Sequence, residues 1–123
     1  MHPIPYLLAG ALLLAGCAGN STTGDGSSSA RRYQGYLVMA PEMHVFVPCN
    51  SDAPLWLVAD EATGHRLEAQ YASLVNEPYE EAFAVLHGTP GPQLDCADCR
   101  DAPGSFRVSR ILEYRRAESE DCH

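Results

Sequence analysis

The stretch Ala18–Arg32, AGNSTTGDGSSSARR, most limits what this chain can fold into. It is built largely from Gly, Ser, Thr and Asn with no large apolar side chain, so burial cannot offset the entropy of ordering it. A folded body is therefore expected only from Tyr33 onward, over roughly 85 to 90 residues, which makes one domain and not two. A body that small buries a modest share of its surface and gains much from a covalent staple.

Ahead of that tract, residues 6–16 read YLLAGALLLAG, an apolar run. A membrane-spanning helix needs roughly 20 such residues, whereas a signal-peptide core needs only 7–15 or so. The run ends in Leu14-Ala15-Gly16-Cys17, which resembles the bacterial lipobox. The resemblance implies that residues 1–16 are a signal peptide removed after Gly16. It also implies that the Cys17 thiol receives diacylglycerol and that the new amino terminus is acylated, making the lipid bilayer the first partner. Each buried methylene contributes about 0.8 kcal/mol, so several acyl chains hold where one does not. The opening MHPIP departs from the usual leader in having neither Lys nor Arg. Ala18 stands where an Asp would favour inner-membrane retention, which implies the outer membrane, with the domain facing the periplasm. Residues 17–32 are then the lipidated Cys and a tether with an end-to-end distance of roughly 20 Å. Arg31 and Arg32 fall at its far end, where anionic head groups or peptidoglycan carboxylates are within reach, but the favoured reading is that they are ordinary solvated charges.

Charge narrows the partners. The chain has eight Arg and no Lys against sixteen acidic residues, a formal charge of −8, and all of these lie after Gly16. Such a field repels phosphate backbones, whose binding rests on cationic side chains, so nucleic acid is disfavoured as a partner.

From Tyr33 the pattern alternates with a period near two: Tyr33, Gly35, Leu37 and Met39 share one parity, and Tyr36 and Val38 the other. His44–Cys49 and Leu55–Ala59 are two further strand-like runs, separated by the turn-prone Asn50-Ser51-Asp52-Ala53-Pro54. Leu67, Tyr71 and Leu74 fall at i, i+4 and i+7, which predicts a helix with Thr63 as its N-cap, ended by Asn76 and Pro78. Glu81–Gly88, centred on Ala82–Leu86, and Ser105–Arg115 complete the set. In the last of these, Phe106, Val108, Ile111 and Leu112 break strict alternation, which a bulge near Arg110 explains. Three strands, a helix and two strands is the order of the OB-fold, so the expectation is a mainly β, five-stranded OB-like barrel over residues 33–123. Trp56 and Tyr71 are read as core anchors. Tyr33 or Tyr36 is read as an aromatic on the barrel face, placed to stack a ligand.

Five segments, Gly35-Tyr36, Phe46–Cys49, Leu55–Val58, Phe83–Gly88 and Phe106–Glu113, together resemble the OB-like C-terminal domain of NlpE-type envelope lipoproteins. That family carries a further amino-terminal domain with its own Cys-x-x-Cys, which this sequence lacks. The resemblance implies a structural or stress-related envelope module and only weakly a copper- or surface-sensing one.

Setting Cys17 aside leaves Cys49, Cys96, Cys99 and Cys122. An even number in an oxidising compartment points to two disulfides with three possible connectivities. The favoured reading joins Cys96 and Cys99 to separate partners, tying both the 89–104 loop and the tail to the barrel. The competing reading is a copper or zinc site of Cys96, Cys99, Cys122 and His123. A softer copper site of Met39, Met43 and His44 is a lesser one. Pro90, Gly91, Pro92, Pro103 and Gly104 place Cys96-Ala97-Asp98-Cys99 in a loop, away from the helix N-terminus a thioredoxin-like thiolate needs.

The sequence has no Gly-x-Ser-x-Gly, His-Glu-x-x-His or phosphate-binding loop. His65 reads as a surface residue, His87 as half-buried, and Glu77, Glu80 and Glu81 as a solvated face. The expectation is a non-enzymatic lipoprotein that needs no cofactor and binds an envelope protein or peptidoglycan.

Overall fold

Two residues of turn, Pro41 and Glu42, reverse the chain between β1 (Arg31–Ala40) and β2 (Met43–Pro48). The hairpin register pairs Ala40 with Met43 and Leu37 with Phe46. The computed structural model describes residues 30–123, so the expected leader, Cys17 and most of the tether lie outside the described residues. β3 (Leu55–Val58) adds to β2, α1 (Glu61–Leu74) follows, and β4 (Ala82–Gly91) and β5 (Gly104–Arg116) complete the set. β4 pairs with β1 and β5, and β5 runs parallel to β3, closing a barrel in the order β1-β2-β3-β5-β4. Closure gives every strand a partner on both sides, so the sheet has no edge strand, although β3 covers only Gly104–Arg107 of β5. The OB-like architecture expected from the element order is the one observed.

Alternation decides what fills the barrel. Leu37, Met39, Phe46, Leu57, Ala84, Leu86, Phe106 and Val108 point inward with little or no exposure. β5 needs three inward residues after Phe106, and they fall at Val108, Ile111 and Tyr114, a spacing no regular strand allows. Two bulges resolve this. Leu86 pairs with Ile111 while Val85 pairs with Glu113, skipping Leu112; Gly88 pairs with Val108 while His87 pairs with Arg110, skipping Ser109. The irregularity expected near Arg110 is thus a bulge on each side of it, and each resets the inward parity.

The helix plugs one end. Thr63, Leu67 and Tyr71 are its buried stripe, and the Tyr114 hydroxyl donates to the Leu67 carbonyl at 3.1 Å. The N-cap is Asp60, not Thr63: the Asp60 carboxylate accepts from the Thr63 amide at 2.7 Å. The helix therefore starts nearly a turn earlier than expected, because a carboxylate satisfies an orphan first-turn amide well and Thr63 is needed in the buried stripe. β1 likewise starts at Arg31, two residues before the expected boundary, since Arg31 and Arg32 pair through their backbones with Gly88 and His87. A strand end can be made by ladder hydrogen bonds alone, with its side chains in water.

Candidate functional site

The outer face of β2 and β3 carries a groove of about 260 Å³. Val45 and Trp56 are register partners and lie side by side in it. Met43 flanks them from the start of β2, Tyr79 from the segment after α1, and Ala97 and Ala102 from the β4–β5 loop. Met43 is 38% and Tyr79 52% exposed, two of only three large apolar side chains so exposed among the described residues. Trp56 is half-buried, its indole stacked on His44 with ring centroids 5.9 Å apart. Glu42, Asp98 and Asp101 also line the groove, and no Arg or His does. The site is an apolar floor with an anionic rim.

Each wall is held by local chemistry. Tyr79 sits at φ 67°, the left-handed region that a bulky residue adopts only when its surroundings impose it. The Glu80 carboxylate imposes it here, accepting from the Asn76 and Glu77 amides at 2.8 and 3.1 Å. Of the three clustered acids, Glu80 is therefore a brace for the loop, and Glu77 and Glu81 are exposed. In the β4–β5 loop a disulfide joins Cys96 to Cys99. Cys99 is fully buried. The Gln93 side chain donates to the Arg100 and Ala102 carbonyls at 2.7 and 3.2 Å. Ala97, Asp98 and Asp101 are thus presented from a pinned loop.

The second disulfide joins Cys49 to Cys122 with Cα atoms 5.1 Å apart. It draws the tail over the outer face of β1 and β4, where Tyr36 meets Phe83 edge-on and Arg115 lies 4.4 Å over the Phe83 ring. The tail is stapled to the barrel as expected, but Cys96 and Cys99 close on each other and not on separate partners. Three residues of separation suffice when the loop folds as a turn, with the Arg100 amide donating to the Cys96 carbonyl.

These pairings also decide what is not assembled. Cys122 is bonded to Cys49 and Cys96 to Cys99, so Cys96, Cys99, Cys122 and His123 do not form one shell. No cluster of three or more His, Cys, Asp or Glu side chains with metal-binding geometry occurs among the described residues. Met39 pairs with His44 across the hairpin but turns into the core beside the Tyr114 hydroxyl, and Met43 turns out, so the three do not gather into one site. Tyr33 packs edge-on against Phe106 at 5.2 Å, and Tyr36 donates to the Asp121 carbonyl at 3.3 Å. Both aromatics read as ligand platforms are packing residues, while Trp56, read as a core anchor, lines the groove. Strand parity explains the exchange: Leu57 takes the inward position and leaves Trp56 outside. Tyr71 is in the core, His65 is exposed and His87 half-buried.

The sequence pattern marks Pro54 and Ala97 only as turn and loop residues and gives Tyr79 no role. The one available signal was Pro78-Tyr79 inside a polar stretch, an aromatic with no periodic partner. Comparison with known protein families, curated proteins and solved structures finds no match to this chain.

Proposed function

We propose that this chain is a non-enzymatic lipoprotein of the bacterial outer membrane, held by an acylated Cys17 and binding another envelope protein through the β2–β3 groove. The observation that carries the reading is the groove itself: Met43, Trp56 and Tyr79 gathered on one barrel face, with Glu42, Asp98 and Asp101 around them. The β2–β3 face and its flanking loops are where OB barrels commonly hold extended ligands. Here the rim carboxylates repel anionic polymers and attract a polypeptide that presents Lys or Arg beside an apolar side chain. Trp and Tyr supply the large contact area and the cation–π faces that dominate such interfaces. The structural or stress-related envelope role implied by the NlpE-type resemblance is consistent with a fixed barrel that binds and does not catalyse.

The test has two arms. Mass spectrometry of the mature protein from its host should find an amino-terminal, diacylated Cys17, and Cys17→Ala should abolish both processing and membrane retention. A photo-crosslinking residue at position 79 should capture a protein in native envelopes, and the same residue at Gln70 on the exposed helix face should not. A mature terminus elsewhere without fatty acid sinks the anchor, and equal capture from both positions sinks the groove.

A further inference from the structure

The strand register places three cationic or titratable side chains in one row. Arg32 of β1 pairs with His87 of β4, and His87 pairs with Arg110 of β5. All three have outward parity, since their neighbours Tyr33, Leu86 and Ile111 pack into or against the core. Arg107 extends the row, opposite Thr89 on the same outer face. The three arginines are exposed, and none takes part in an ion pair among the described residues. The carboxylate on the next outward rung, Glu113, is engaged by Arg115 at 2.9 Å. On a chain of formal charge −8, this concentrates three of eight Arg on one face.

Two placements give the row its meaning. The chain leading back to Cys17 joins the barrel at Arg31, at the head of the same strand. In the closed order β1-β2-β3-β5-β4, the face centred on β4 lies opposite the one shared by β2 and β3. The basic row and the groove are therefore on opposite sides of the barrel. A net-negative body tethered roughly 20 Å from an anionic surface is repelled on most sides. Screening confines that field to about 8 Å, so the face turned to the surface decides the energy.

We propose that Arg32, Arg107 and Arg110, with His87 between two of them, rest on the anionic phosphate head groups of the bilayer and hold the barrel so that the β2–β3 groove faces away from the membrane. The inference rests on the acyl anchor at Cys17. Each arginine near such a surface shifts the orientation equilibrium about fivefold.

Trp56 is the single Trp of the chain and lines the groove, so it reports the orientation directly. The acylated protein is reconstituted into vesicles of phosphatidylcholine, alone or mixed with phosphatidylglycerol, each doped with a dansyl-headgroup lipid. Energy transfer from Trp56 should be weaker in the anionic vesicles. Arg32→Glu with Arg110→Glu should remove that difference, as should high NaCl. Both variants change exposed side chains, and an unchanged melting temperature confirms the fold. Vesicle-bound protein with transfer indifferent to lipid charge, or stronger in anionic vesicles, overturns the orientation while leaving the anchor standing. Acylated protein that stays in the buffer overturns the anchor and the orientation with it.

Discussion

Arg115 holds Asp121 at two points, its terminal nitrogens lying 2.6 and 3.3 Å from the two carboxylate oxygens. Asp121 is 6% exposed and also accepts from the Glu118 amide at 2.6 Å. The same guanidinium covers Phe83. One side chain on the last strand thereby fastens the tail, shields an outward-facing aromatic and positions the backbone to which Tyr36 donates.

That pair makes stability depend on pH. The hydrogen bond from Arg115 holds the Asp121 carboxyl below its ordinary value, with the Glu118 amide and the guanidinium charge adding to it against the cost of burial. A depressed folded pKa means that the contribution is complete above the unfolded value of about 3.9 and disappears as pH falls through the folded one. Urea midpoints should therefore hold steady near neutrality and drop below about pH 4. Asp121→Asn should lower the midpoint at pH 7 and flatten that acid limb. An acid limb unchanged in the variant would assign the effect to other carboxylates.

The two disulfides should contribute unequally. Cys49–Cys122 spans 73 residues and Cys96–Cys99 only three. Constraint of the unfolded chain grows with the closed loop, so Cys122→Ser should cost about 2–4 kcal/mol and the smaller ring well under half of that. Paired urea titrations of Cys122→Ser and Cys96→Ser measure both. Equal losses would mean that the 96–99 turn supports more of the barrel than its own loop.

The fold was legible because OB-like order is encoded in features that survive without tertiary context. Leu37, Phe46, Leu57 and Leu86 mark inward parity, and Leu67 with Tyr71 marks the helix face. What was hidden depended on registers that local sequence does not carry. Trp56 reads as core by size alone, and only its pairing with Val45 and the inward turn of Leu57 put it on the surface. The row of Arg32, His87 and Arg110 joins three strands far apart in the chain, and two skipped residues in β5 set its alignment. The Cys96–Cys99 bridge required knowing that the loop turns on itself.

Tyr114 should behave as a structural hydroxyl. Burial, more than the neighbouring Tyr71, drives its pKa well above that of an ordinary tyrosine, and it donates to the Leu67 carbonyl. Burial also raises the pKa of Tyr71 and Tyr36, so spectroscopic titration should show a late-ionising component that includes Tyr114, and Tyr114→Phe should shrink it by one tyrosine. The variant should lose about 1 kcal/mol, the net contribution of one such hydrogen bond. A titration in which all tyrosines ionise together would contradict the buried contact.

Gly88 and Gly64 offer opposite outcomes from the same substitution. A Cβ at Gly88 would collide with the Arg107 carbonyl and with two atoms of the Phe106 ring. Neither can move cheaply, because Arg107 is part of the β4–β5 ladder and Phe106 is fully buried between Tyr33 and Phe46. Gly88→Ala should cost about 1–3 kcal/mol, the usual range for forcing a methyl into a packed interior. Gly64 lies in the first turn of α1 with nothing within 4 Å of an added Cβ. Alanine there removes backbone freedom from the unfolded chain and meets no obstacle in the folded one, so Gly64→Ala should gain up to about 1 kcal/mol. Thermal melts of the two variants should move in opposite directions. A destabilised Gly64→Ala would mean that the first turn of the helix does not persist in solution as it stands here.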